Sequence, residues 1–305
     1  MSMSTESSAI HNIGYRRYDG PRLGRKQAIG TIYRQTLRGA FGIGRGFGAK
    51  FFPWLLAGSA LLPAVILAIV QAATPPDPVL GPQAITELNH YTTFISAVPL
   101  LFIASQAPQA FSRDLRFKVL PLYFSRPTTY RDYTHARLLG LWTAVTAILA
   151  LPLILLYLGG LSASLPAGEL TADLVGSLIS VVFLTAMLTC IGALVASVTP
   201  RRGLGVVAII AFLAGSYGMA QFLQAMGSAL GTEQTAAWMG VFSPVSIYEG
   251  VQAFLFQGSP FDFTPSTFMP TPSPAAGAAL MLVGFGLVYV CYRLLILRYR
   301  KVAAS

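Results

Sequence analysis

His11, His90, His135, Cys190 and Cys291 are the residues best suited to hold a metal or act as a nucleophile, and their spacing supports neither role. A structural zinc site gathers four Cys or His ligands at short intervals. Glu87 stands three residues before His90, at the edge of an apolar run, where boundary solvation accounts for both. His11 and His135 stand isolated, and both cysteines fall inside apolar runs as buried packing residues do. No G-x-S-x-G or H-E-x-x-H sequence occurs. "GRGFGA" fits G-x-G-x-x-A, and "GFGAKFF" faintly resembles a phosphate loop. The dinucleotide motif, however, must follow a strand and open a helix, and the phosphate loop needs Gly-Lys-Ser/Thr; here Lys50 follows Ala49 and an apolar run begins at Phe51. The expectation is a chain that is no enzyme, with no catalytic residue, no metal and no cofactor of its own. What remains is uncharged polarity inside apolar runs. Gln106 and Gln109 lie one turn apart, and Gln221 and Gln224 repeat that spacing. Either pair could bond between helices or line a substrate path.

The elements that must position these groups are set by hydropathy. Of 305 residues 54% are hydrophobic and only 10% charged, where a soluble domain carries about a quarter; mean hydropathy is +0.62. Six blocks reach the length of about 20 apolar residues that a membrane helix needs: residues 51–73, 91–111, 138–158, 174–198, 204–226 and 275–292. None contains Asp, Glu, Lys or Arg, and a charge at a helix centre costs about 2.5–3.5 kcal/mol on insertion.

Every basic residue falls on one side of the resulting count. Arg16, Arg17, Arg22, Arg25, Lys26, Arg34, Arg38, Arg45 and Lys50 precede the first span. Arg113, Arg116, Lys118, Arg126, Arg131 and Arg137 join the second to the third, Arg201 and Arg202 the fourth to the fifth, and Arg293, Arg298, Arg300 and Lys301 close the chain. The other connections hold only acids: Asp77 and Glu87, then Glu169 with Asp173, then Glu233, Glu249 and Asp262. Adding or removing one span destroys this segregation, so the positive-inside rule places both termini in the cytoplasm. The net charge of +10 thus flanks apolar blocks and forms no continuous stripe, which argues against nucleic acid as a partner.

The expected fold is an all-α integral membrane protein of six transmembrane helices. Residues 1–26 form a cytoplasmic tail, 27–49 an interfacial amphipathic elbow helix, 51–297 the six-span domain and 298–305 a basic cytoplasmic tail. In the elbow, Arg34, Arg38 and Arg45 fall within about 40° of one another on a helical wheel, opposite Ile29, Ile32, Ala40, Ile43 and Phe47. That puts its apolar side into the inner interface and its arginines beside lipid phosphates. An outer region, 227–274, is rich in Pro, Gly and aromatics and reads as short half-buried helices that cap the domain, then irregular loop. Prolines 53, 63, 99, 108 and 152 could kink spans and serve as hinges.

With no charge inside the spans, the energy for any pumping must enter elsewhere. Segment 112–133, "SRDLRFKVLPLYFSRPTTYRDY", joins the second and third spans. The second span is expected to run on into "SRDLR", with Pro121 breaking the helical pattern. On a wheel Leu115, Val119 and Leu122 share one side, and Phe117, Leu120 and Phe124 nearly the opposite one. Two apolar stripes imply contact with two surfaces, the base of the membrane domain and a separate protein. Thr129 and Asp132 have the spacing of a capping box opening the third span.

This stretch resembles the signature of bacterial ATP-binding cassette (ABC) type 2 transporter permeases, the membrane subunits of exporters. In that family a span ends in Arg-Asp/Glu, followed by a Leu-rich turn, "LSRP", an Arg-x-x-Tyr/Phe element and a basic residue. Arg113, Asp114, Leu120, Leu122, Ser125, Arg126, Pro127, Tyr133 and Arg137 carry the likeness. The elbow, the six spans, Phe242–Gly250 as a counterpart of "LSP…EG" and the basic tail extend it over the chain, and "IGYRRYDGPRLGR" is similar to the opening of actinobacterial members. Phe117 and Lys118 depart from the family, where a small residue or glycine is common.

The resemblance implies a permease in the bacterial plasma membrane, paired with a second, identical or paralogous permease and with two ABC ATPase subunits that bind the ATP and Mg. It implies that 112–133 is the coupling helix, with Arg113, Asp114, Arg116, Phe117, Leu120, Leu122, Tyr123, Phe124 and Arg126 meeting the ATPase. The substrate would be a drug, antibiotic, lipid or other amphiphile. An ion-coupled carrier, an integral-membrane enzyme, or a scaffold or sensor with a docking loop are the alternatives.

Overall fold

The computed structural model describes residue 20 and residues 24–73, 88–125, 127–163, 165–199, 201–255 and 272–303. Arg126, His11, Asp77, Glu87, Asp262, the side chains of His90 and Glu233, most of the N-terminal tail and residues 256–271 of the outer region lie outside the described residues. Among the described residues there is no strand. Five helices are long and apolar enough to cross a membrane: α2 (Phe47–Ala73), α7 (Tyr130–Ser162), α8 (Ala167–Val198), α9 (Arg202–Ala229) and α12 (Pro274–Ala303). At 27 to 33 residues they span about 40 Å or more, beyond the roughly 30 Å of a hydrocarbon core. Leu62, Ile66, Val207, Phe222, Leu282 and Phe285 face outward from them, as lipid contact requires.

The block expected as the second span is not one helix. It consists of α3 (Leu88–Phe94), α4 (Ala97–Ala107), a π-turn (Pro108–Ser112) and α5 (Arg113–Arg116). Two prolines place the breaks. Pro99 has no N–H to bond back to Ile95, and the chain turns at Ile95–Ser96. Pro108 cannot bond to Ala104, and the next turn widens so that the Arg113 N–H reaches the Pro108 carbonyl. Pro53, Pro63 and Pro152 lie inside α2 and α7 without interrupting them.

The elbow is shorter than expected. Helix α1 (Arg25–Ala40) ends in a turn over 41–46 before α2 begins. Gly42 and Gly44 adopt φ of +66° and +83°, and a Cβ on Gly42 would lie 2.5 Å from the Ala49 carbonyl oxygen. The glycines thus stop the helix and reverse the chain, which removes Arg45 from the Arg34–Arg38 face. Nor does the whole apolar side face lipid. Ile32, Thr36 and Ala40 are buried against α7, where Gly140 leaves room for Thr36 and the Tyr33 carbonyl, while Ile43 and Phe47 are exposed.

Helix α7 is the hub, packing on α1, α2, α8 and α12. Its start carries the expected capping box: the Thr129 side chain accepts from the Asp132 N–H, and Asp132 accepts from the Thr129 N–H at 2.9 Å. Arg25 adds a two-pronged pair to the same carboxylate, at 2.8 and 2.9 Å, so that α1 is tied to the first turn of α7. His135, isolated in sequence, stacks on Tyr292 of α12. Cys190 and Cys291 are free and buried.

Two helices form within residues 227–274 and pack on the bundle. Helices α10 (Glu233–Met239) and α11 (Pro244–Leu255) flank a single 3₁₀ turn, and α11 is buried against α8, α9 and α12. Glu249, which the sequence places in an outer connection, is fully buried there and accepts hydrogen bonds from Tyr217 (3.1 Å) and Gln221 (3.5 Å) of α9.

Candidate coupling site

Segment 112–133 leaves the π-turn as α5, and its first job is to hold a carboxylate. Asp114 points back into the bundle, where Arg137 of α7 donates to it through Nη2 and Tyr133 donates at 2.6 Å. Tyr133 and Arg137 are four residues apart, so one helix face presents both. The Asp114 and Arg137 side chains are only 12% and 9% exposed. The guanidinium also reaches the Tyr123 hydroxyl (3.3 Å) and Thr36 of α1 (3.5 Å), and lies 5.2 Å from the centroid of the Tyr133 ring. At that burial a charge survives only when paired and hydrogen-bonded. One ion pair therefore links α1, α5, Tyr123 and α7.

The chain then turns sharply. Lys118 has φ of +51°, a left-handed conformation unusual for a residue with a side chain, and the Val119 N–H bonds to the Asp114 carbonyl. A separate short helix, α6 (Leu120–Phe124), follows. Pro121 does not break the pattern: it sits in the first turn of α6, where a missing N–H costs nothing. The break at 117–119 also rephases the wheel. Leu120 is buried, Leu115, Tyr123 and Phe124 pack against the core, and Phe117 and Leu122 both face out at 62% and 69% exposure. The segment thus has one buried apolar face and two exposed apolar side chains, with a different division of residues than one continuous helix gives.

An aromatic nest fixes the inner face. Tyr133 lies 5.1 Å from Tyr123, 6.3 Å from Phe124 and 5.5 Å from Tyr299 of α12, and Tyr299 packs on Phe111 of the π-turn. Ser112 ties the same turn to α8 by donating to the Ala196 carbonyl at 2.6 Å. Displacing α6 would therefore move the π-turn, α7 and α12 with it.

Of the residues expected to meet a partner, Arg113, Arg116, Phe117 and Leu122 are exposed. Leu120 and Asp114 are anchors turned inward. Tyr133 and Arg137, named from the sequence only as carriers of a family likeness, are the partners of Asp114: their i, i+4 spacing is visible, but nothing local says that the shared face meets that carboxylate.

The glutamine pairs separate. Gln106 is buried and donates to Ser105, and Gln109 accepts from Arg45 at 2.8 Å; both line a cavity with Arg113. Gln221 bonds Glu249, Gln224 is buried, and neither lines that cavity. Arg34 and Arg38 are exposed along α1. No cluster of three or more His, Cys, Asp or Glu able to hold a metal exists among the described residues. A scan against protein-family models finds no match, and a search of curated proteins finds none either.

Proposed function

We propose that this chain is the membrane-spanning permease subunit of an ATP-binding cassette exporter, moving an amphiphilic substrate outward on ATP hydrolysed by separate ATPase subunits. The observation that carries the reading is the two-sided segment 113–124. Phe117 projects from the turn before α6 and Leu122 from α6 itself, and the other side of the segment is bolted to the bundle by Leu120, the aromatic nest and the Asp114–Arg137 pair. A protein docking on those two side chains has a stiff lever into α7 and α12, and switching by packed rigid bodies needs such a lever. The likeness to ABC type 2 permeases supplies the identity of the partner.

The direct test is the double substitution Phe117→Asp, Leu122→Asp in a strain that co-expresses the chain with a candidate ABC ATPase. Retention of the ATPase on mild-detergent purification should fall about tenfold or more, since two exposed apolar anchors contribute about 1.5–3 kcal/mol each when buried. Membrane insertion and yield should not change, because neither side chain packs in the core. Unaltered ATPase retention and unaltered hydrolysis would sink the coupling assignment.

In this reading the broken segment 88–116 crosses the membrane as a sixth span, with both termini in the cytoplasm of a bacterial cell. Crossing there, and not elsewhere, puts Arg113 and Arg116 on the side of Arg201, Arg202 and the C-terminal basic residues. Ser125→Cys distinguishes the topologies, because Cys190 and Cys291 are buried and should stay silent. A membrane-impermeant maleimide should label this cysteine only after the cells are opened. Labelling in intact cells would mean that 88–116 does not cross.

A second reading, an ion-coupled carrier, draws on Glu249, an ionisable group fully buried in the helical body beside Tyr217 and Gln221. Transport that continues in membranes devoid of any ATPase would favour it.

A further inference from the structure

A cavity of about 620 Å³ opens between the α1–α2 turn, the π-turn with α5, and the start of α9. Its lining brings together Arg45, Arg113, Arg116 and Arg202, which come from three separate stretches of the chain. A neighbouring cavity of about 640 Å³ shares Arg45, Gln109 and Arg113 and reaches Arg137. Asp114 is the only carboxylate in either lining, and Arg137 and Tyr133 already occupy it. Among the described residues Arg113, Arg116 and Arg202 have no carboxylate partner. Arg45 is held in place by its hydrogen bond to Gln109, at 2.8 Å. Burial and then the charges of Arg113, Arg202 and Arg137 lower its pKa, so the cavity disfavours further positive charge.

Converging guanidiniums repel one another unless an anion lies between them. A phosphate group answers this arrangement: its oxygens accept several N–H bonds at once, and the planar donor fork of arginine matches that geometry. One wall is apolar. Phe52 lines the cavity, and Phe47 and Phe51 are exposed on the same first turns of α2. An exposed aromatic edge beside cations is the pattern of a membrane interface.

We infer that the cavity bounded by Arg45, Arg113, Arg116 and Arg202 is a binding site for a phosphate-bearing anion. The phosphate can belong to a lipid headgroup or be free in solution. The site belongs to this chain alone and does not depend on an ATPase.

The test uses the full chain in phosphatidylcholine nanodiscs, with two probes. One is replacement of part of the lipid by phosphatidylglycerol, the other addition of inorganic pyrophosphate. The readouts are the thermal unfolding midpoint and, by native mass spectrometry after detergent release, the bound lipid or pyrophosphate retained. Wild type should be stabilised by at least one probe and retain it about tenfold better than Arg45→Gln/Arg202→Gln, because the double variant loses charge-assisted hydrogen bonds to the phosphate. Arg45→Lys/Arg202→Lys should retain most of the effect. A response to phosphatidylglycerol alone assigns the site to a headgroup, and a response to pyrophosphate assigns it to a free phosphate. If the glutamine pair does not fold, Arg202→Gln alone, at the exposed end of α9, should still show a severalfold loss. The inference is overturned if neither probe affects wild type, or if Arg34→Gln/Arg38→Gln on exposed α1 loses as much as the cavity pair. With no ATPase in the sample, either result leaves the exporter reading untouched.

Discussion

Replacing Arg137 with Met should destabilise the chain by about 3–5 kcal/mol, the cost of leaving one member of a buried ion pair without its partner. Asp114 would remain turned inward, 12% exposed, with only the Tyr133 hydroxyl to stabilise its charge. Arg137→Lys should recover part of the loss and not all of it, since a lysine keeps the charge but cannot reach Asp114, Tyr123 and Thr36 at once. The double substitution Asp114→Leu, Arg137→Met should be markedly more stable than Arg137→Met alone, because a neutral, filled site leaves no orphaned charge. Unfolding of the purified chain in detergent, followed by tryptophan fluorescence, measures all three. A double variant as unstable as the single one would show that packing by Arg137, and not pairing, is what matters. Segment 113–124 hangs on this pair, so Arg137→Met should also loosen α6, read as faster proteolysis at residues 117–124.

Gly159→Leu should separate α2 from α7. A Cβ at Gly159 would lie 2.8 Å from both the Cα and Cβ of Ala68. A backbone atom cannot rotate away, so the helix must shift. Overpacking by a few methylenes costs about 1–3 kcal/mol, and a leucine against backbone belongs at the upper end of that range or beyond. Gly58→Leu on α2 is the matched control, because nothing lies within 4 Å of the Cβ it would add; its effect should stay within about 0.5 kcal/mol. Thermal unfolding of the two variants in the same detergent settles the comparison. Equal behaviour would mean that α2 and α7 do not approach as closely as Gly159 and Ala68 require.

Residues 233–255 divide the same way between what is visible in the chain and what is not. That "VFSPVSIYEGVQAFL" forms short half-buried helices follows from its apolarity and from Pro244, which opens α11. That Glu249 ends inside the bundle does not follow, because Tyr217 and Gln221, which donate to it, lie about thirty residues earlier on another helix. The elbow shows a different limit. Its glycines weaken a helix wherever they stand, but only the approach of Ala49 makes Gly42 a turn and sends Arg45 to Gln109 instead of to the lipid face.

By itself, the sequence determined what is local or periodic: six apolar blocks, of which five are long unbroken helices, the absence of charge within their centres, the basic flanks, the capping box at Thr129 and Asp132, and a charged segment between two apolar runs. These need only hydropathy, a helical repeat and spacing within a few residues, and each is set by the side chains against their own solvent. Only the tertiary structure decided that Pro99 and Pro108 break their segment while Pro53, Pro63 and Pro152 stay inside unbroken helices, the inward turn of Leu120 against the exposure of Phe117 and Leu122, the Arg25–Asp132 pair across 107 residues and the burial of Arg137 on Asp114. The physical reason is distance along the chain. A guanidinium near a helix end reads the same whether water, a headgroup or a carboxylate receives it, and the choice among them is made by helices that the local sequence does not contain.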